Sequence, residues 1–573
     1  MRRLMDEYFD EARISLLFLK RVRSISFRVQ GELDYGWSVT MLQPADENAT
    51  SFSKSVDIKF SSQLRLGTQI SGKDTWWVTT QAFIPRADLL PVNSRMVMKN
   101  PECGIAALVS STPDSDTPNI VHLSCAKVIS PRMFNRLPLS IRSDLPVHIH
   151  GTFSLSGDRQ SIDVDECGAK TSGVLWNRYL LEEILPKLYL SFLESMVPQV
   201  WRHIFDFWPS KGNGAELLCK AFWEILPQSS QHLFPKAHFN VSALQCGPPE
   251  SLTFSQAVFD FLPLDQSKAL APFLLAMDVN LVRELPERMV KNLKALSQVN
   301  SVTSPMLRTL LKSAKAKTCL MGEMPRNPEI LQVLFSLVMP TAADIHALHG
   351  CHLVPLANST LSTLEFKDTG VGHASRYFVA SDAELKLFEF ASRDLVKATI
   401  VAMLKPILDN GKFNLSKLKL TDVPKLLETK PVVQKPNNKE DKWLMDFWKY
   451  WDSNMAFSLP LPNIVTLNAK LYRARVNGAE VYASPSSFDG LPAVVEPVNN
   501  EHKQLCNGFS GLWRFDPLFM PKSLADDESC FYSAASFHRF IHSIKSLSGQ
   551  GGIGTFVKTH LSADDLKVNL RSV

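Results

Sequence analysis

The sequence has no apolar run of the roughly 20 residues that a membrane-spanning helix needs. Its best candidate, Ile330 to Met339, is short and is interrupted by Gln332 and Ser336. Near the start, the apolar stretch Ile14 to Leu19 is too short for the hydrophobic core of a signal peptide. These absences argue against a membrane protein and against a secreted one, so we predict no membrane partner.

The sequence also lacks cysteine motifs and a large excess of charge of one sign. The nine cysteines are odd in number, scattered and never spaced as C-x-x-C, which is typical of reduced thiols in a cytoplasmic protein. Lys and Arg number 62 against 57 Asp and Glu, so the net charge is only +5. Because nucleic-acid binding depends on a concentrated basic surface, we predict a cytoplasmic protein with no nucleic-acid partner.

Catalytic and metal-binding patterns are missing as well. The sequence contains no G-x-S-x-G nucleophile motif. Its densest set of potential metal ligands is His346, His349, Cys351 and His352. A zinc site needs four converging ligands, whereas the adjacent Cys351 and His352 would point to opposite faces of a predicted strand. We therefore predict no catalytic residue, no metal and no enzyme activity for this chain.

The residues that are present predict an α+β, multi-domain protein. Strand-like alternation dominates as far as Ser154, and from Trp176 onward apolar residues such as Leu180 and Ile184 recur at helical spacing. The predicted division is an α+β domain at 1–173, a helical domain at 174–341, a small mixed α/β subdomain at 342–429, a linker at 430–442 and a C-terminal mixed α+β module at 443–573. The linker prediction depends on two prolines, paired asparagines and dense charge, which cannot bury a core.

Local signals give element predictions that a structure can check. Ser304 before Pro305 predicts a helix cap, and Ser381 followed by Glu384 predicts a capping box. Phe254 to Phe261 is predicted to be helical. The predicted strands of the first domain are Val22–Gln30, Trp37–Gln43, Ser55–Phe60, Thr75–Ala82, Ile105–Val109, Asn119–Leu123 and Val147–Ser154.

One stretch of sequence resembles a known family. It runs from LPVHIHGTFSLSGDRQSI, Leu145 to Ile162, into WNRYLLEEILPKLYLSFLE, Trp176 to Glu194, and this order of strand, Asp-Arg turn and Trp-Asn helix resembles the sacsin repeat. Collinear similarity continues at Leu348–Leu361, Arg376–Leu385 and Lys442–Trp451. The chain departs from the family at Asn358 and Ser359, where the repeat usually has Asp-Gly.

The resemblance implies a fold and a function. Sacsin-type repeats are similar to the ninety-kilodalton heat-shock chaperone, in which a GHKL-type nucleotide domain precedes a segment that looks like residues 1–173. The expectation is therefore a non-catalytic portion of a molecular chaperone that binds protein clients or co-chaperones. Two alternatives stay open: an ATP-dependent chaperone whose nucleotide domain is missing from this chain or supplied by another, and a scaffold in protein quality control.

Two glycine motifs bear on the nucleotide alternative. DTGVG, Asp368 to Gly372, matches a loop of GHKL ATPases, and SGQGGIGTF, Ser548 to Phe556, is similar to their lid. The first lacks an upstream Glu-x-x-x-Asn helix, and the second follows a predicted helix rather than the strand that a phosphate-binding turn requires. We therefore expect a helix end and a mobile loop, and no cofactor in this chain.

Two sets of residues remain as candidate sites. The resemblance implies that Arg159 could contact a terminal phosphate held in trans, since a guanidinium stabilises phosphate charge. An exposed turn arginine beside Asp158 is the favoured interpretation, because surface charges are common and contribute little. Four aromatic residues at helical spacing could form a protein-binding surface, but such a stripe is more often core. They are Trp443, Phe447, Trp448 and Trp451.

Overall fold

The chain forms two compact units, Met1–Val302 and Thr303–Val573. The computed structural model describes residues 2–29, 36–42, 51–63, 69–86, 88, 101–113, 130–157, 161–162, 164, 171–209, 215–237, 250–339, 342–367, 376–397, 400–433, 435–455, 470–484, 493–495 and 513–519. The division at Val302 falls inside the predicted helical domain, and the five-segment layout stays a prediction.

An eight-stranded sheet dominates the first unit. Its strands are β1 (Ser24–Arg28), β2 (Gly36–Met41), β3 (Ser51–Gln63), β4 (Gln69–Ala82), β5 (Glu102–Pro113), β6 (Arg132–Asn135), β7 (Leu137–Arg142) and β8 (His148–Gly151). Their order is β1-β2-β3-β4-β5-β8-β6-β7, and every neighbouring pair is antiparallel except β6 and β8. The mixed helices and strands agree with an α+β fold in general terms.

Helices cover both faces of this sheet. Because side chains alternate along a strand, Ile105 and Ala107 of β5 join one core while Ala106 and Leu108 join the other. Helix α1 (Arg2–Ser15) packs in the second core, and helices α2 (Ser172–Tyr179) and α3 (Leu185–Val200) pack in the first. The sheet is therefore the middle layer of three.

A buried ion pair fastens α1 to the sheet. The Arg13 guanidinium donates to both carboxylate oxygens of Asp74 on β4, with Nε to Oδ2 at 2.9 Å and Nη2 to Oδ1 at 2.8 Å. The Ser111 hydroxyl on β5 adds a hydrogen bond to Asp74 Oδ1 at 2.7 Å. Asp74 is fully buried, so these donors replace the water that the carboxylate loses.

A π-helical segment joins α2 to α3. Leu180–Ile184 form the wider turn, and Pro186 lies at the start of α3. Proline has no N–H to donate, and its ring collides with the carbonyl oxygen four residues earlier. A wider turn before the proline relieves that collision while the chain stays helical.

Short elements complete the first unit. They are α4 (Glu216–Ile225), β9 (Phe234–Pro235), β10 (Ser251–Leu252), β11 (Val258–Phe259), α5 (Leu264–Ala276), β12 (Leu281–Val282) and α6 (Glu287–Lys294). The helix predicted at Phe254–Phe261 is wrong, because β11 pairs in parallel with β12. That long-range pairing buries Phe259 completely and overrides the local apolar spacing.

The second unit is mixed throughout. Its helices are α7 (Ser304–Leu311), α8 (Ala314–Glu323), α9 (Ile330–Val338), α10 (Asp382–Leu387), α11 (Val401–Asn410), α12 (Val423–Leu427) and α13 (Asn438–Met455). Its strands are β13 (His352–Pro355), β14 (Leu361–Thr363), β15 (Tyr377–Val379), β16 (Leu395–Val396), β17 (Leu415–Lys417), β18 (Tyr472–Val476), β19 (Ala479–Ala483), β20 (Ala493–Val495) and β21 (Trp513–Phe515). These strands form sheets of two, three and four strands.

The local predictions in this unit have different outcomes. The capping box is confirmed, because Ser381 Oγ accepts from the Glu384 backbone N–H and the Glu384 carboxylate accepts from Ser381 N at 2.7 Å. Ser304 is not the cap of α7, since Thr303 occupies that position and the Ser304 hydroxyl donates to Leu337 O instead. In the described part of the chain, no helix combines the length and the apolarity needed to cross a membrane.

Candidate functional site

Several sequence-predicted features lie outside the described residues. They are Asp158 and Arg159, the motifs Asp368–Gly372 and Ser548–Phe556, and the strand predicted at Asn119–Leu123. The possible phosphate contact of Arg159 therefore stays a prediction.

The described residues around Ser154 and Trp176 form a hydrogen-bonded clamp. Asn177 on α2 accepts from Ser154 N at 2.8 Å and donates to Ser154 O at 2.7 Å. The Trp176 indole N–H donates to Thr152 O at 2.8 Å. Both clamp side chains are fully buried. This pair therefore holds the segment after β8 against α2.

Gly173 allows the close approach that the clamp requires. A Cβ atom at this position would lie 2.6 Å from Ser154 Oγ, which is closer than real contacts permit. The side chain of Thr171 caps the same helix by accepting from Val174 N. The motif that carries the resemblance thus has a structural role in this unit.

The histidine and cysteine cluster is arranged for packing. The His349 ring stacks on Phe366 with centroids 4.9 Å apart, and its Nδ1 accepts from Phe366 N at 3.3 Å. The buried Cys351 thiol donates to the carbonyl of Arg308 at 3.7 Å, and burial raises the pKa of this thiol to about 11. Within the described ranges, no three His, Cys, Asp or Glu side chains converge as metal ligands.

The predicted aromatic stripe lies mostly in the core of the second unit. Phe447, Trp448 and Trp451 are at most 4% exposed, and the Trp448 indole N–H donates to Leu471 O at 2.8 Å. These three rings pack with residues of α10, α12 and β18. Three of the four rings are therefore core residues, which is the interpretation that their helical spacing favoured. Only Trp443, which is half-buried, faces a groove.

That groove, which we call the α13 groove, has a volume of about 800 Å³. The Trp443 ring stacks on Phe447 at 5.2 Å on its inner side and meets Phe390 edge-on at 6.1 Å. Its indole N–H donates to Leu387 O at 2.7 Å, which fixes the ring. The walls come from α10 with the turn after it, from residues 430–433 and from α13. A fixed aromatic ring in a groove supplies contact area at little entropic cost.

A buried ion pair lies beside Trp443. The Lys430 ammonium pairs with the Glu440 carboxylate, and both side chains are only about one-tenth exposed. The same ammonium lies 4.2 Å from the centroid of the Trp443 ring, which is a cation–π geometry. The pair therefore holds the residues before α13 against its first turns, although the sequence predicted a linker here.

The rim of the α13 groove carries an excess of positive charge. Four exposed lysines line it, Lys386 from α10 and Lys439, Lys442 and Lys449 from α13. Within the described part of the chain, none of the four has an ion-pair partner. Two exposed carboxylates, those of Glu389 and Asp446, also lie in the groove.

The N-terminus of α13 is anchored to the β18–β19 hairpin. Asn437 caps the helix by accepting from Glu440 N at 2.9 Å. The Tyr482 hydroxyl accepts from Asn437 N at 2.9 Å and lies 2.8 Å from Asp441 Oδ1. Burial, reinforced by the Asp441 carboxylate, raises the pKa of Tyr482 to about 12. Arg473 donates to Asp441 at 2.8 Å, so the wall that carries the lysines is held in place.

Sequence reasoning missed Lys430, Phe390 and the rim lysines. The three-residue spacing of Glu440 and Trp443 could have indicated one helical face, but nothing in the sequence brings Lys430 to that face. No protein-family model matches this chain, and neither a curated protein nor a solved structure shows significant similarity to it.

Proposed function

We propose that this chain is a non-catalytic portion of a sacsin-like molecular chaperone and that the α13 groove binds protein clients or co-chaperones. The observation that carries the proposal is a half-buried, fixed Trp443 in an open groove of about 800 Å³. On this proposal residues 1–173 correspond to a chaperone middle domain, and the protein acts in the cytoplasm.

The physical support comes from how proteins bind one another. Aromatic anchors supply most of the energy in protein interfaces, especially where surrounding contacts exclude water. Trp443 is held by a hydrogen bond and by stacking on Phe447, so little side-chain entropy is lost when a partner covers it. The contacts needed are apolar and electrostatic, and they involve no covalent step.

The test is suppression of aggregation of a thermally unfolded test protein, followed by light scattering. We expect the wild-type chain to suppress scattering and Trp443→Ala to lose most of this effect. The matched control is Met445→Ala, because Met445 is 44% exposed on the same helix but does not line the groove.

A second variant protects the test against misfolding of Trp443→Ala. Ser453 is exposed on the groove wall, so Ser453→Trp fills the groove without altering the core. Equal suppression by wild type and both groove variants would contradict the proposal. Calorimetric heat from titrating Mg-ATP into the chain would favour the ATP-dependent alternative, and client binding without suppression would favour the scaffold.

A further inference from the structure

We infer that the α13 groove takes a partner segment with acidic residues at its ends and an apolar residue between them. This inference rests on the proposed function and adds the chemistry of the occupant. Charge complementarity around the Trp443 ring is the observation behind it.

The charge in the groove favours carboxylates. The Lys430 and Glu440 side chains neutralise each other beneath the Trp443 ring. The exposed rim then has four lysines against two carboxylates. Opposite charges attract a partner and set its orientation over roughly 8 Å at physiological ionic strength. An acidic segment is therefore favoured over a basic one.

The spacing along α13 sets the length of the segment. Lys439 and Lys449 are ten residues apart on one helix, which corresponds to about 15 Å at 1.5 Å per residue. An extended chain spans that distance in about five residues at 3.3 Å each. The Trp443 ring lies between these lysines in the sequence of the helix, so the apolar side chain belongs in the middle of the segment.

The two exposed carboxylates of the groove limit which acidic segments can bind there. Asp446 lies between Trp443 and Lys449 on α13, and Glu389 lies on the opposite wall. A uniformly acidic segment would place like charges against both of them, at a cost in binding free energy. Acidic ends with an apolar centre avoid that repulsion and cover Trp443.

The experiment measures fluorescence anisotropy of labelled peptides with the full chain. One peptide has acidic ends and an aromatic centre, the second has the same centre with basic ends, and the third has neutral ends. The test variant is Lys439→Glu with Lys449→Glu. The control is Lys405→Glu with Lys417→Glu, which makes the same charge change at exposed lysines outside the groove.

We expect the acidic peptide to bind best and to weaken as salt is added. The groove reversal should raise its Kd by about tenfold or more, equivalent to about 1.4 kcal/mol, and should make the basic peptide the better ligand. The control variant should bind as wild type does. Equal binding of all three peptides would overturn the inference while leaving client binding intact. If Ser453→Trp still binds the peptide and still suppresses client aggregation, both this inference and the proposed function are overturned.

Discussion

The clamp between Asn177 and Ser154 gives a stability prediction that can be worked out from its contacts. The substitution Asn177→Ala removes two hydrogen bonds of 2.7 and 2.8 Å and leaves the Ser154 N–H and C=O without those partners. Each lost bond costs about 1 kcal/mol, and unsatisfied buried groups cost more. We expect a total loss of about 2–4 kcal/mol in the unfolding free energy of the first unit.

Hydrogen exchange of the full chain measures this loss where it occurs. The Ser154 amide should exchange faster in Asn177→Ala, and urea unfolding of the first unit should begin at lower denaturant. The matched control is Asn300→Ala, because the exposed Asn300 donates a single hydrogen bond to Ser255 O in the same unit. A loss below about 0.5 kcal/mol in Asn177→Ala, equal to that of a surface change, would refute the clamp.

Two further predictions concern buried titratable groups in the first unit. Burial lowers the pKa of His148 from 6.5 to about 3. As the pH falls, the His148 imidazole is therefore protonated in the unfolded chain before it is protonated in the folded chain. The unfolding free energy should therefore fall as pH drops below about 6.5, by up to about 1.4 kcal/mol per pH unit, and His148→Gln should flatten that slope in urea midpoints. Arg13→Leu leaves Asp74 buried without its cation, which should cost about 3–5 kcal/mol in thermal unfolding; Arg13→Leu with Asp74→Leu should recover much of it.

Alternation of side chains made much of the sheet predictable. Strand β2 lies close to its predicted position because its buried and partly exposed residues alternate regularly. Strands β4 and β5 contain the predicted segments Thr75–Ala82 and Ile105–Val109, but both strands begin earlier in the chain. Strands β6 and β7 were not predicted. Their ladder is irregular and they contain Pro138, which interrupts the pattern that the sequence offers.

The candidate site was less predictable than the sheet. Helical spacing identified Trp443, Phe447, Trp448 and Trp451 as one face, but spacing alone does not tell a core face from a binding face. That difference depends on β18 and α10, which cover three of the rings and leave the fourth beside a groove. The dense charge of residues 430–442 indicated a linker because the pairing of Lys430 with Glu440 exists only after folding.

Site-specific photo-crosslinking tests the central claim, that protein clients occupy the α13 groove. A photoreactive side chain is placed at Ala383, exposed on the groove wall, or at Met445, exposed outside the groove on α13. The account predicts that an unfolded client crosslinks from position 383 and that Ser453→Trp abolishes the product, while position 445 gives little. Equal crosslinking from both positions, unaffected by Ser453→Trp, would contradict it.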